Sequence, residues 1–167
     1  SRTRLIKQAD VVLLIYLFLD KFSHDLKRKN YNYYEARTMH QSSLSMCTYA
    51  LMGLEVGDHK KAYSYFMKTA SMDIKDLNRN AVDGIHGAAM GGAWQMAIHG
   101  FAGMKIRYSS LTFNPWLPKK WKELSYHFFW QGKLVSARIT HKEIVFRLLD
   151  TRRRSLTVNV QGRPVTI

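Results

Sequence analysis

The sequence predicts an α+β chain in which helices come first and a small antiparallel β unit follows. Three observations carry this. Apolar residues recur at helical spacing, between capping residues, up to about residue 100. From Leu124 onward apolar and polar residues alternate instead. Between the two regimes, "LTFNPWLPKKW" holds two of the three prolines and excludes a regular helix there.

Residues 8–22 are apolar nearly all round, the pattern of a helix buried on most sides. The apolar run within it, 11–19, is too short to span a bilayer and lacks a signal-peptide cleavage site. Ser23 is placed to cap a second helix, "HDLKRKNYNYYEAR", with Leu26, Tyr33 and Tyr34 spaced for packing. Ser42 or Ser43 would cap a third, "SLSMCTYALMGLEV", which Gly57 ends. Asp58 then caps a fourth at once, with Ala62, Tyr63, Phe66, Met67 and Ala70 on one apolar face, so the third and fourth helices form an αα-hairpin. A fifth helix starts near His86 and runs to about Gly100. The helix-to-strand change falls at 104–111. Strands follow at 124–130, 135–139, 144–148 and 156–160, read as one antiparallel sheet of at least four strands, with "QGK" and "NVQGRPV" as Gly-centred turns.

Composition narrows the function. The chain has 167 residues, room for one ordinary domain or a piece of a larger protein, and 46% apolar residues support a packed core. The chain starts "SRTRLIKQAD", without Met, which reads as a fragment. Its single cysteine, Cys47, sits in an apolar helix and reads as a small core residue; no Cys/His spacing suggests zinc. The net charge of +14 points to anionic partners. Residues 119–167 hold 11 Lys/Arg against 3 Asp/Glu, densest at Arg152, Arg153 and Arg154, which read as a solvated basic turn. "KRKNYNYYEAR" interleaves basic and aromatic residues as nucleic-acid surfaces do, but on a helix that spacing also serves packing. No nucleic-acid or membrane partner is expected.

"DGIHGAAMGG", residues 83–92, spends four of the chain's 10 glycines around His86. Glycines ahead of a helix let a ligand or a backbone come close and leave the helix amides free for an anion. The same small residues also allow tight helix packing. "IKQADVV" sets Lys7 and Gln8 just before the first helix, where a cation is disfavoured unless an anion is near. "RTMHQSSLS" supplies Arg37, His40, Ser42, Ser43 and Ser45 at the start of the third. Three loops thus offer phosphate-type donors ahead of apolar helices. None contains a Glu; Asp10 and Asp83 lie beside them. Hydrolysis of a glycoside with inversion needs a second carboxylate as base, whereas phosphate is already an anionic nucleophile.

These segments, with "GDHKKAYSYFMKTASMDIKD" and "LTFNPWLPKKWKELSYHFFWQGKLVSARIT", resemble the C-terminal portion of glycoside hydrolase family 65, which includes maltose, trehalose, kojibiose and nigerose phosphorylases. The resemblance implies terminal helices of an (α/α)6 catalytic barrel at 1–104 and a C-terminal β-sheet or sandwich domain at 105–167. It implies inverting phosphorolysis of an α-glucoside to β-glucose 1-phosphate and glucose, with inorganic phosphate as co-substrate and no cofactor or metal. By the same resemblance Lys7, Gln8, His40, Ser42, Ser43 and His86 bind substrate or phosphate, and His86 is similar to a family phosphate ligand. The family's general-acid Glu lies upstream of "KQAD", outside this chain, so the chain alone is expected to be inactive. Ala89 stands where many relatives have Ser. A cytoplasmic location and a homodimeric parent are also expected. The competing readings are a hydrolase of the same family and a helical interaction module.

Overall fold

The computed structural model describes residues 5–40, 44–77, 79–149 and 155–167. Arg152, Arg153 and Arg154, like Ser42 and Ser43, lie outside the described residues. Two compact units, Ser1–Gly100 and Phe101–Ile167, divide the chain.

The first unit holds five helices: α1 Asp10–Leu17, α2 His24–Glu35, α3 Ser45–Val56, α4 His59–Ala70 and α5 Gly87–Gln95. Their ends follow local chemistry. Ser23 Oγ accepts from Leu26 N–H at the start of α2, and Asp58 Oδ1 accepts from Lys61 N–H at the start of α4. Gly57 ends α3 in the left-handed region at φ 89°, where any other residue would be strained. The N-cap position of α3 is Leu44, one residue past the expected Ser43.

α3 is the centre of this unit. Residues 45–53 are all buried, as its uninterrupted apolar and small composition requires. α2 lies antiparallel to it: Lys27, near the start of α2, meets Glu55 near the end of α3, and Thr38, just past α2, meets Tyr49. α5 lies parallel to α3, because Cys47 bonds Gly92 while Leu54 lies against Gly100. α1 starts beside the lead-in to α3, through an Ile6–Thr38 bridge with Ile6 N–H to Arg37 O at 2.9 Å and Met39 N–H to Ile6 O at 2.8 Å.

Three expectations for this unit are corrected. α1 is a short helix with a 3-10 turn at Leu19–Lys21, and only Val12 and Ile15 of α1 are buried; Leu13, Leu14 and Leu17 are exposed. Within this chain its one buried face is met by α2 and α3. α2 packs through Lys27 and Tyr31, not Leu26 and Tyr33, because Glu55 and Asp58 give the polar tips partners. α4 buries Ala62, Tyr65 and Thr69 rather than Met67, since the Tyr65 hydroxyl finds Glu35 at 2.6 Å. α5 runs on into a π turn at Met96–Phe101.

The second unit has seven strands: β1 Met104–Arg107, β2 Ser110–Phe113, β3 Glu123–Trp130, β4 Lys133–Thr140, β5 Ile144–Leu148, β6 Thr157–Val160 and β7 Arg163–Thr166. They form two sheets, ordered β1-β2-β6-β7 and β3-β4-β5. The expected single antiparallel sheet is therefore wrong in one respect. β6 leaves β3–β5 and pairs in parallel with β2, Thr112 opposite Asn159. The sheets bury Phe113, Leu111, Val158 and Val135 against each other, with Phe128 and Phe146 packed on them. The "QG" turns at 131–132 and 161–162 have positive φ at both residues, which matches the twist of a two-residue hairpin. β1 and β2 escaped the sequence reading because their turn is Tyr108-Ser109, also at positive φ but without glycine.

Candidate functional site

α1, α3 and α5 run side by side through α3, and their leading residues carry the donors singled out from sequence. Lys7 and Gln8 form the exposed link between the Ile6–Thr38 bridge and α1. Among the described residues their side chains have no hydrogen-bond or ion-pair partner. The bridge holds this link beside residues 37–39, so two of the three loops are in backbone contact. α5 runs parallel to α3, with residue 92 beside 47, so His86 stands at the N-terminal end of the pair.

His86 is the N-cap residue of α5 and caps nothing with its side chain. Its ring is held from behind: Nδ1 lies 2.5 Å from Asp73 Oδ1, and its backbone N–H donates to Asp73 Oδ2 at 2.9 Å. These two bonds hold the Asp73 carboxyl below the usual carboxylate range, the ring contact first and the backbone contact second. Nε2, the other ring nitrogen, lies 3.4 Å from Asn80 Nδ2.

The glycines ahead of and within α5 divide by face. A methyl on Gly92 would stand 3.0 Å from Cys47 Cβ, so Gly92 is where α3 and α5 touch. Gly87 and Gly91 have nothing within 4 Å of a built Cβ. One face is thus bare for packing and the other is bare toward open space. Ala89 is buried, so a hydroxyl at that position would face into the protein rather than toward a ligand. Cys47 is the core residue expected; burial pushes its thiol up to about 11, and it lies under Gly92 O.

His40 turns away from the leading ends. Its ring packs edge-on to Tyr49 at 5.0 Å and beside Tyr65 at 4.8 Å, with Nε2 buried 3.7 Å from Glu35 Oε1. Nδ1 lies 3.5 Å from Ser45 Oγ. Burial lowers the His40 pKa, and Glu35 offsets part of that. Glu35 accepts from Tyr65 at 2.6 Å and lies 2.9 Å from Lys61 Nζ; burial would raise its pKa, but these two partners outweigh burial and lower it. Arg37 lies over the Tyr33 ring at 3.9 Å and donates to Tyr33 O. With Lys27 on Glu55 and Arg28 reaching Val56 O, much of the basic-aromatic stretch is used inside the fold.

Asp73, Asn80 and Glu35 were not singled out from sequence. Asp73 lies thirteen positions before His86, in a turn no local pattern marks, and only the fold joins them. Among the described residues no group of three His, Cys, Asp or Glu side chains is placed to hold a metal, and no helix is long and apolar enough to cross a membrane.

Residues 1–95 match the glycosyl hydrolase family 65 central catalytic domain, and residues 104–167 match the family 65 C-terminal domain. The chain belongs to glycosyl hydrolase family 65. It is 48% identical over 166 residues to the kojibiose phosphorylase of Caldanaerobacter subterraneus subsp. tengcongensis, covering 99% of this chain and 21% of that protein. It is 44% identical over 149 residues to the α,α-trehalose phosphorylase of Thermoanaerobacter brockii, covering 89% and 19%. The maltose phosphorylase of Bacillus subtilis is 37% identical over 166 residues, 99% of this chain and 22% of that one. A solved structure described as "Putative kojibiose phosphorylase from human microbiome" superposes with a TM-score of 0.91 at 29% identity, over 98% of this chain and 24% of its own. The chain thus spans about a fifth of the length of these family 65 relatives and corresponds to their C-terminal part.

Proposed function

We propose that this chain is the C-terminal part of an inverting disaccharide phosphorylase and supplies its phosphate-facing loops. The enzyme would cleave an α-glucoside with inorganic phosphate, giving β-glucose 1-phosphate and glucose. The observation that carries this reading is His86 at the first turn of α5. It is anchored on one side by Asp73 and sits beside an open glycine face at Gly87 and Gly91. Lys7 and Gln8, exposed at the start of α1, add a cation and an amide. Helix amides, an imidazole and an ammonium suit a phosphate dianion.

Phosphorolysis is favoured over hydrolysis by the state of the nearby carboxylates. A hydrolase needs a base to activate water. Asp73 is committed to His86, and Glu35 to Tyr65 and Lys61, so neither carboxylate is free to activate water. Phosphate as nucleophile needs no such base. His40, enclosed by Tyr49, Tyr65 and Glu35, supports the loop from within rather than touching phosphate.

The test uses the complete gene product that carries this chain. It is incubated with kojibiose, trehalose, maltose and nigerose, with and without inorganic phosphate, and β-glucose 1-phosphate and glucose are assayed. Phosphate-dependent sugar phosphate from one disaccharide supports the reading and names the substrate. Glucose release indifferent to phosphate overturns it in favour of a hydrolase.

A further inference from the structure

We infer that Asp73 is a positioning residue for phosphate: it locks His86 so that Nε2 is the nitrogen presented to the anion. This rests on the reading of His86 as a phosphate ligand. One carboxylate takes both polar handles of His86, the backbone N–H at 2.9 Å and ring Nδ1 at 2.5 Å. The backbone bond sets the height of the residue at the helix start. The ring bond sets its rotamer with Nδ1–H donating to the carboxylate, so Nε2 lies on the far side of the ring, where the protonated imidazolium, with N–H on both nitrogens, would donate to an anion. Neither job needs the other, so a carboxylate serving only the helix end would not also reach the ring.

Asp73 is itself fixed. The preceding Met72 is buried at 2% exposure, and its carbonyl accepts from Leu77 N–H, which closes the turn. Asn80 closes the other side. Its N–H donates to Asp76 Oδ1 at 2.9 Å, its Nδ2 lies 3.4 Å from His86 Nε2, and its buried Oδ1 has no hydrogen-bond partner among the described residues. Asp73 on Nδ1 and Asn80 beside Nε2 therefore hold the imidazole from two sides. An arriving phosphate would meet an oriented ring rather than a freely rotating one, and orientation of this kind is worth most when a charged ligand must be held in one geometry.

The experiment compares the complete gene product with Asp73→Asn, His86→Ala and the double variant, measuring kcat and the KM for phosphate and for disaccharide. Asn is near-isosteric but neutral, with one acceptor oxygen in place of two, so it serves at most one of the two His86 N–H groups and no longer pairs with a protonated ring. Asp73→Asn is expected to raise the phosphate KM by about 10-fold or more, with a much smaller change in the disaccharide KM. In the His86→Ala background the same substitution should change the phosphate KM by less than about 2-fold, because its effect runs through the missing ring. Should Asp73→Asn not fold, Asp73→Ser stands in. Its hydroxyl can accept from the His86 N–H without holding the ring, so the same loss in phosphate KM is expected. An equal effect of the Asp73 substitution in both backgrounds, or an unchanged phosphate KM, overturns the inference while leaving phosphorolysis standing. An enzyme indifferent to phosphate overturns both.

Discussion

Gly91 and Gly92 are adjacent in α5, yet alanine at each should act with opposite sign. Both lie within the same helix, so each substitution gains the same propensity, about 0.8–1 kcal/mol for Gly to Ala. At Gly91 nothing lies within 4 Å of the new methyl, and that gain is realised in full. At Gly92 the methyl would meet Cys47 Cβ at 3.0 Å and Sγ at 3.1 Å. Ordinary carbon contacts lie at about 3.5–4.0 Å, so a few tenths of an ångström must be found. Cβ is rigidly attached to the α3 backbone, and rotating the thiol relieves only the second contact. α3 and α5 must therefore part, at an overpacking cost of about 1–3 kcal/mol. The propensity term cancels between the two variants, so the gap between them isolates that cost. Native-state amide exchange of the α5 amides in the complete gene product reads it locally, with thermal melting as the global check. Equal protection factors in the two variants would refute the account of Gly92 as the α3–α5 contact.

His86→Ala is expected to lower phosphorolysis far more than it lowers the melting temperature; equal loss in both returns His86 to a packing role. Tyr65→Phe should destabilise by about 1–3 kcal/mol, because it removes a 2.6 Å hydrogen bond to a charged, largely buried Glu35, measured by melting of the variant against wild type. Burial depresses the His40 pKa, so the unfolded chain binds more protons as pH falls below about 6.5. Stability should therefore decline as pH falls from neutral through the lowered His40 value, and His40→Gln should flatten the melting temperature over that window. A wild-type curve as flat as the variant's would exclude that account. Gly103→Ala should cost about 3 kcal/mol or more: φ is +63°, and the methyl would stand 2.1 Å from the Asn114 carbonyl oxygen, a backbone atom that cannot swing aside as a side chain can. Amide exchange of β1 and β2 would read that loss.

Much of the first unit was legible because its signals are local. Ser23, Gly57 and Asp58 act within one turn of where they stand, and the structure places each where its chemistry says. What failed was the choice of inward face. Lys27, Tyr31 and Tyr65 are buried through polar tips that reach Glu55, Asp58 and Glu35, and a hydropathy pattern discounts such residues. The β strands were legible where alternation was strong, as in Leu124, Tyr126 and Phe128, but pairing is non-local, so the move of β6 to β2 left no trace in the sequence. His86 was visible because glycine surrounds it. Asp73, which holds it, was not, because its meaning comes from a contact across a turn.

The parallel pairing of Thr112 and Phe113 with Asn159 and Val160 has a consequence for how the chain is made. During synthesis the helical unit can close on neighbours already present, since α2, α3 and α4 meet through short connections. The β1-β2-β6-β7 sheet cannot, because β2 waits some forty-five residues for its partner. Until residue 160 emerges, β2 offers one open edge and the apolar faces of Leu111 and Phe113 stand uncovered by Val158. Nascent chains stalled just short of β6 should thus bind chaperones and resist protease poorly across residues 101–150, while those stalled beyond β7 should not.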